Sequence, residues 1–587
     1  MLRVSVSQNM TECPGTAKGD LRASLTFHPW ARTDGNHGTP GCGDGRGTDA
    51  GMDTDYIIVG AGSAGCVLAD RLTASGKHRV TVLEAGGTDR RFFVSLPLGY
   101  GKLFYDPAVN WCYETEPDPG LAGHRDFWPR GKLLGGSSSI NAMVYIRGHK
   151  ADYDEWGVNP GWGWDDCLAA YKAMEDTEAG ADEWRGKGGP LFISENRRGL
   201  HWLVEDYIAA CGQAGLPHNR DFNGAVQEGA GTYQMTIHRA RRNSAARAFL
   251  RPAMGRRNLR VITRAMVTRV MIEGGRAVGV EYRQGDEAKV LRCNTEVILA
   301  GGAINSPQLL QLSGVGPGAL LQGLGIGVAR DNPNVGDHLN DHQGVNYTWE
   351  MNAPTYNDLL RPWWGKLFAG AQYFLTGGGP LSKSINHGGG FFRTRPDLDR
   401  PNMQLYFQAF STLIPRGGER PLLTPDPFSG LSIGLSNCRP TSRGHIRIRS
   451  SDPMAHPTIV ANAFSTNNDV EEMLDAVKFL RKIAAQPAFA ARMKEELRPG
   501  PQVQSDEALI ADFRARSGTV YHPSCTARMG ADEASSVVDA RLRVHGVVGL
   551  RVCDASAFPN LIAGNTNAPA MLMGWKGAEV ILADAGA

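Results

Sequence analysis

The sequence is poor in the features that mark several classes of protein. No window approaches the ~18 uninterrupted apolar residues of a membrane-crossing helix, and the first fifteen residues lack the apolar stretch of a secretory signal. The ten cysteines are scattered with no CxxC pair, which excludes paired zinc-ligand spacing and fits a reducing compartment. An excess of one charge is missing too: 62 Lys and Arg stand against 60 Asp and Glu, a formal +2, so nucleic acid is not the expected main partner. No internal repeat is visible.

The chain has length, apolar content and glycine instead. Its 587 residues, 42% of them hydrophobic, call for two or more domains and a large core. Average usage of ~7% would give about 41 glycines; there are 73. They follow no collagen period, so they mark tight turns and close approach of backbone to something bound.

Residues 1–52 differ from the rest, with seven glycines between Gly35 and Gly51 and almost nothing able to pack. This predicts a disordered leader. Met52 stands directly before the first convincing strand and is the expected start of the natural product; a native peptide upstream of it, found by mass spectrometry, would refute that.

From Asp55 the pattern is strand (56–59), glycine turn, helix (66–72), strand (80–83), a βαβ unit. Gly60, Gly62 and Gly65, with Ser63 and Ala64 between them, form GxGxxG. The glycines permit the turn, the approach of a pyrophosphate and tight helix-to-strand packing, and the unpaired N–H groups of the helix favour the phosphate charge. Glu84 ends the second strand, near the spacing of a carboxylate that binds an adenosine ribose. A dinucleotide is expected, NAD or FAD. Further strands fit 259–262, a hairpin of 267–272 and 277–282 around Gly274-Gly275, and 296–299. Asp469 is expected to cap a helix that Pro487 stops. Residues 345–515, with strands at 403–410 and 431–435 and no phosphate loop, read as a separate lobe.

Two further segments separate the cofactors: RGKLLGGSSSINAMVY (130–145) and GAINSPQLLQLSGVG (302–316). With the GAGSAG turn and the C-terminal motifs around His522, Asp554 and Asn565, they resemble the glucose-methanol-choline (GMC) family of flavin oxidoreductases, from Asp53 to the C-terminus. Within the family the chain looks most like the bacterial choline and alcohol dehydrogenases. The resemblance implies an α/β fold: a Rossmann-like FAD-binding domain with an antiparallel-sheet (α+β) substrate-binding domain. The expected segments are 53–210 and 211–344 for the FAD domain, the second with substrate-lobe insertions, 345–515 for the substrate domain, and 516–587 for the C-terminal part of the FAD domain.

The Gly135–Ser139 cluster offers small residues and hydroxyls to the edge of a flat ring. By resemblance Gly136, Ser137, Asn141, Ala142 and Val144 line the flavin, Val267 reaches the adenine, and Asp554 with Ala555 meets the ribityl or pyrophosphate; Asp554 is equally suited to cap a helix. Some relatives attach FAD through a histidine at the position of Ile140. Isoleucine has no nucleophile, so noncovalent FAD is expected.

Oxidation of an alcohol by hydride transfer needs a base for the hydroxyl proton and a hydride acceptor at the same carbon. His522 matches the family's catalytic histidine and Asn565 the position of its His or Asn partner. The expected activity is FAD-dependent oxidation of a primary alcohol, choline-like, aliphatic or polymeric, to an aldehyde, with electrons passed to a quinone or another non-oxygen carrier. An oxidase making peroxide, a hydroxynitrile lyase-type enzyme and a noncatalytic flavoprotein are the alternatives. A cytoplasmic location is expected, with peripheral membrane contact and oligomerisation left open.

Other residues read as bland. His338 and His342 have an HxxxH spacing, but no metal is expected, because the segment resembles a metal-free stretch of the family. Cys525 and Cys553 read as buried packing groups, and the arginine run Arg239–Arg247 as a solvated face. For a quaternary ammonium, an aromatic cage would draw on Trp349, Trp363, Trp364 and Tyr406.

Overall fold

The computed structural model describes residues 54–197, 199–413 and 424–586. The leader and the start at Met52 lie outside the described residues.

Five short strands build a parallel sheet in the order 259–263, 80–84, 56–59, 296–299, 550–552. Tyr56–Val59 and Val80–Glu84 are buried along their whole length, as strands covered on both faces must be, which explains why they are apolar but for Thr81 and the terminal Glu84. The last strand, Leu550–Val552, comes from the far end of the chain. All five strands end at one edge, and Gly60, Glu84, Ala300 and Asp554 sit at or just beyond their carboxyl ends, where open α/β sheets bind ligands.

Gly65 shows why the glycine turn is needed. A Cβ there would lie 2.0 Å from the Gly60 carbonyl oxygen, and a Cβ at Gly60, whose φ is +101°, 2.6 Å from the Ala300 oxygen. The helix Ser63–Thr73 can therefore sit down on the sheet only with hydrogen at both places. The C-terminal helix Asn567–Asp584 packs on it in turn, Gly574 against the Ala64 backbone, and Ser63 Oγ donates to Asn567 Oδ1 at 2.8 Å.

The second sheet is antiparallel, in the order 493–498, 343–351, 430–437, 403–408, 388–392, 229–232, with 518–519 also paired to 343–351. One of its faces packs on the helix Asn467–Ala484 through Met473, Val477 and Leu480 against Leu431, Ile433 and Leu435. Two of its strands come from outside 345–515. The Asp469 cap is corrected: the helix begins at Asn467 after Thr466, and Asp469 lies buried in its first turn, accepting from the Thr441 and Ser442 amides at 2.7 and 2.9 Å. Those long-range acceptors drew the carboxylate inside.

Candidate active site

Between the two sheets lies a cavity of about 1120 Å³, larger than an ordinary small-molecule pocket. Gly60, Gly62, Ser63, Ala64, Glu84, Gly136, Ser137, Asn141, Ala142, Val144, Val267, Asp554, Ala555, His522 and Asn565 all border it. Gly65 does not. It stands behind the turn and serves helix packing.

At one end two glycine loops face each other. Gly135 N–H donates to the Ala61 carbonyl at 2.7 Å, and a Cβ on Gly136 would lie 2.7 Å from Gly62 Cα. The helix beginning at Ser63 has no side-chain cap and no acid in its first turn, so its leading N–H groups are left for a ligand. Glu84 is oriented by Ala61 N–H on Oε2 (2.9 Å) and Gly86 N–H on Oε1 (2.8 Å), and burial pushes its carboxyl up to about 7. Asp554 caps the turn Ala555–Ala557 through Ser556 and also accepts from Gly302 N–H (2.8 Å) and Ser306 Oγ (2.6 Å), so the capping use is the one its bonds display. A loop short of helix-capping groups beside a long cavity suits a dinucleotide.

Asn141 holds its side-chain oxygen on Met143 N–H (3.1 Å) and on Arg242 Nη1 (2.7 Å), which leaves its amide N–H groups for the cavity. Arg242 corrects the reading of 239–247 as a wholly solvated face. It is buried and also donates to the Val94 and Ser138 carbonyls, and burial lowers its guanidinium to about 9. Arg239 and Arg241 remain exposed.

At the other end stands His522. The preceding Tyr521 has φ +74°, a conformation a tyrosine adopts at a cost. Its carbonyl accepts from Arg130 Nη2 at 2.6 Å and its amide N–H donates to Thr519 Oγ1 at 2.7 Å, and these bonds hold the turn that aims His522. The His522 backbone N–H donates to Asp341 Oδ1 at 2.8 Å. A two-way bridge between Asn340 and Ser524 runs the segment 336–342 alongside this loop.

That bridge brings His342 to His522, their Nδ1 atoms 2.9 Å apart, while His342 Nε2 is 2.9 Å from the Cys438 carbonyl. A carbonyl only accepts, so His342 carries its proton on Nε2. Its Nδ1 then accepts from His522 Nδ1–H, and the lone pair of His522 is left on Nε2. His342 is neutral, burial lowering it to about 4. Burial first, then the charge of Arg130, hold His522 well below its ordinary value. Asn565 Nδ2 lies 3.2 Å from that Nε2, and its Oδ1 accepts from Gln404 Nε2 at 3.2 Å, which fixes the way the amide points.

Sequence reasoning missed His342 and Gln404 as site residues. His342 stood out only as half of an HxxxH pair; His338 Nε2 instead lies 3.3 Å from Asn334 Oδ1. Among the described residues no group of three His, Cys, Asp or Glu side chains is placed to hold a metal ion. Of the four cage candidates only Tyr406 borders the cavity: Trp349 is buried in the core of the antiparallel sheet, and Trp363 and Trp364 are exposed. Cys525 and Cys553 are buried in the main core. Ile140 borders the cavity.

Known proteins resemble the chain over most of its length. Residues 54–344 and 440–574 match two family profiles, both described as GMC oxidoreductase. The chain is 41% identical over 534 residues to the alcohol dehydrogenase (acceptor) of Pseudomonas putida, covering 90% of this chain and 95% of that one. It is 41% identical over 537 residues to the mitochondrial choline dehydrogenase of Mus musculus, covering 90% and 89%. The crystal structure of pyridoxine 4-oxidase from Mesorbium loti superposes with a TM-score of 0.81 at 30% identity, covering 90% of this chain and 99% of that one.

Proposed function

The chain belongs to the GMC oxidoreductase family, and from that premise we propose that it oxidises a primary alcohol to an aldehyde, with His522 as the base. Its cofactor is FAD. Bound FAD supplies the hydride acceptor at the N5 atom of its ring.

The chain's own residues do the rest. The Gly60–Gly65 turn and the helix amides behind it hold the pyrophosphate, Glu84 and Val267 the adenosine, and Gly136, Ser137, Asn141, Ala142 and Val144 the ring. Ile140 makes no bond to it, so acid precipitation releases the flavin into solution. His522 Nε2 takes the hydroxyl proton, Asn565 Nδ2–H binds the developing alkoxide, and His342 is the positioning residue that keeps the His522 proton on Nδ1. The observation that carries this reading is the chain Cys438 carbonyl, His342, His522, because it leaves one unprotonated ring nitrogen beside Asn565.

The substrate in this reading is an uncharged alcohol. Glu84 and Asp554 have both oxygens engaged by the protein, and Asp126 accepts from Thr519 N–H and Trp128 Nε1. Arg130, Arg498 and Arg516 border the cavity together with Asn346, Thr348 and Gln408. Arg125 borders it as well, the one further carboxylate on the lining among the described residues is the exposed Glu114, and this balance disfavours a quaternary ammonium. The electrons leave to a non-oxygen carrier, a reading supported by the name of the Pseudomonas putida relative. The test is an anaerobic panel of aliphatic alcohols and choline, read by bleaching of the flavin band, with peroxide measured in air. Aliphatic alcohols bleach and choline does not; peroxide formed in step with turnover would make the enzyme an oxidase.

A further inference from the structure

The helix Trp363–Thr376 is built inside out. Its only buried residues are Gly365 and Ala369, while Trp363, Trp364, Leu367, Phe368, Phe374 and Leu375 face outward, from 58% exposed at Phe368 to 84% at Leu375. It has one charged side chain, Lys366, and no acid. The patch extends onto a distant stretch of chain: Phe92 and Phe93 are exposed beside it, and the Phe92 ring stacks on Phe374 with centroids 6.2 Å apart. Contiguous apolar surface of this kind marks an interaction site.

Its rim is positive. Arg90 and Arg91 lead into Phe92 and are exposed. Tyr373 Oη donates to the Ala240 carbonyl at 3.1 Å, which sets the helix against exposed Arg239 and Arg241. Arg247 is held below its ordinary value by burial and then by the charges of Arg241, Arg251 and Arg239, so these cations crowd one another. Arg251 pairs with Asp89 at 2.8 Å, and Arg91 and Arg361 have more distant carboxylates at 3.7 and 3.9 Å. Among the described residues, Arg239, Arg241 and Arg247 have no carboxylate partner.

We propose that this face docks on an anionic lipid bilayer, the aromatic and leucine side chains entering the headgroup boundary and the arginines meeting lipid phosphates. At 1.5 Å per residue the helix is about 21 Å long, short of the ~20 residues needed to cross, so it lies flat in the interface. A second copy is the poorer occupant: a two-fold contact would set the same arginine cluster against itself. On its inner side, Ala369 shares an apolar cluster with Tyr100, Phe104, Ile385 and Phe410, which border the cavity. Docking therefore holds a wall of the site against the membrane. If the proposed alcohol oxidation is right, this surface feeds it a lipophilic alcohol or carrier; the docking itself does not depend on that reading.

The full-length holoenzyme is sedimented with vesicles of phosphatidylcholine alone and of an equal mixture of phosphatidylcholine and phosphatidylglycerol. Binding to the mixed vesicles is expected, weakening with salt. The double substitution Leu367→Asp/Phe374→Asp lowers partition by about tenfold or more, since charge on the apolar face opposes insertion. Arg239→Ala/Arg241→Ala lowers binding to mixed vesicles by about fivefold per charge and leaves weak binding to neutral vesicles as it was. Both variants retain FAD and turnover of a dissolved alcohol, which separates lost docking from lost folding. Absence of binding to mixed vesicles, or equal binding by the Asp variant, overturns the proposal. So does a solution dimer that Phe374→Asp splits, which would assign the face to a second copy.

Discussion

The two ends of the cavity are made in opposite ways. At the glycine end, the turn, the helix start and Glu84 lie within 25 consecutive residues of one βαβ unit, 60–84, and their chemistry is mostly backbone N–H. At the histidine end, four side chains from positions 342, 404, 522 and 565 meet, and their chemistry is the placement of protons. A site that binds through backbone can be written locally. One that directs a proton needs partners at fixed distances, and separate stretches of chain supply them.

This contrast can be broken by substitution. At the histidine end, His522→Ala is expected to slow anaerobic flavin reduction by about 10²- to 10⁴-fold while FAD content stays full; unchanged reduction in stopped flow would remove His522 from the role. At the glycine end, Gly60→Ala puts a methyl group against the Ala300 oxygen at a left-handed φ, so the protein should purify with little FAD. If it binds FAD normally, the turn is not the cradle.

His342→Leu should cost about 10- to 10²-fold in kcat, as a positioning partner of a base. His342→Asn, which retains an acceptor near the Nδ1 position, should recover much of that. The sign of the pH effect follows from the shifts. His522 works when unprotonated, and burial together with the charge of Arg130 holds it below its ordinary value. The acid limb of kcat/KM should therefore lie below about pH 6.5, and His342→Leu, which removes the acceptor of the His522 Nδ1–H bond and so disfavours the protonated ring, should move it further down. A limb that stays put argues for a packing role alone. The smallest effect is expected from Gln404→Leu: about fivefold in kcat from one lost neutral hydrogen bond of about 1 kcal/mol, with FAD content and the acid limb unchanged.

Much of the glycine end was legible because most of its constraints are local. A Cβ at Gly65 clashes with the Gly60 carbonyl of the same turn, and Gly60 itself needs a left-handed φ, whereas the clash of a Gly60 Cβ with Ala300 exists only once the distant strand is in place. The candidate residues of the histidine end came from family resemblance, and their geometry did not. Arg242 lay unnoticed in an arginine run because nothing in the run says which side chain turns inward to Ser138 and Asn141. The cap at Asp469 was misplaced because its carboxylate is claimed by Thr441 and Ser442, 28 and 27 residues away.

The sequence by itself determined the βαβ unit, its glycine turn and the absence of a nucleophile at Ile140, because backbone sterics and side-chain identity act at one position. Only the tertiary structure decided which histidine holds which proton, which arginine is buried, and that a helix carries its large side chains outward. Each of those depends on desolvation and on partners far away in sequence, and a hydrogen bond of 2.9 Å between His342 and His522 has no trace in the 180 positions that separate them.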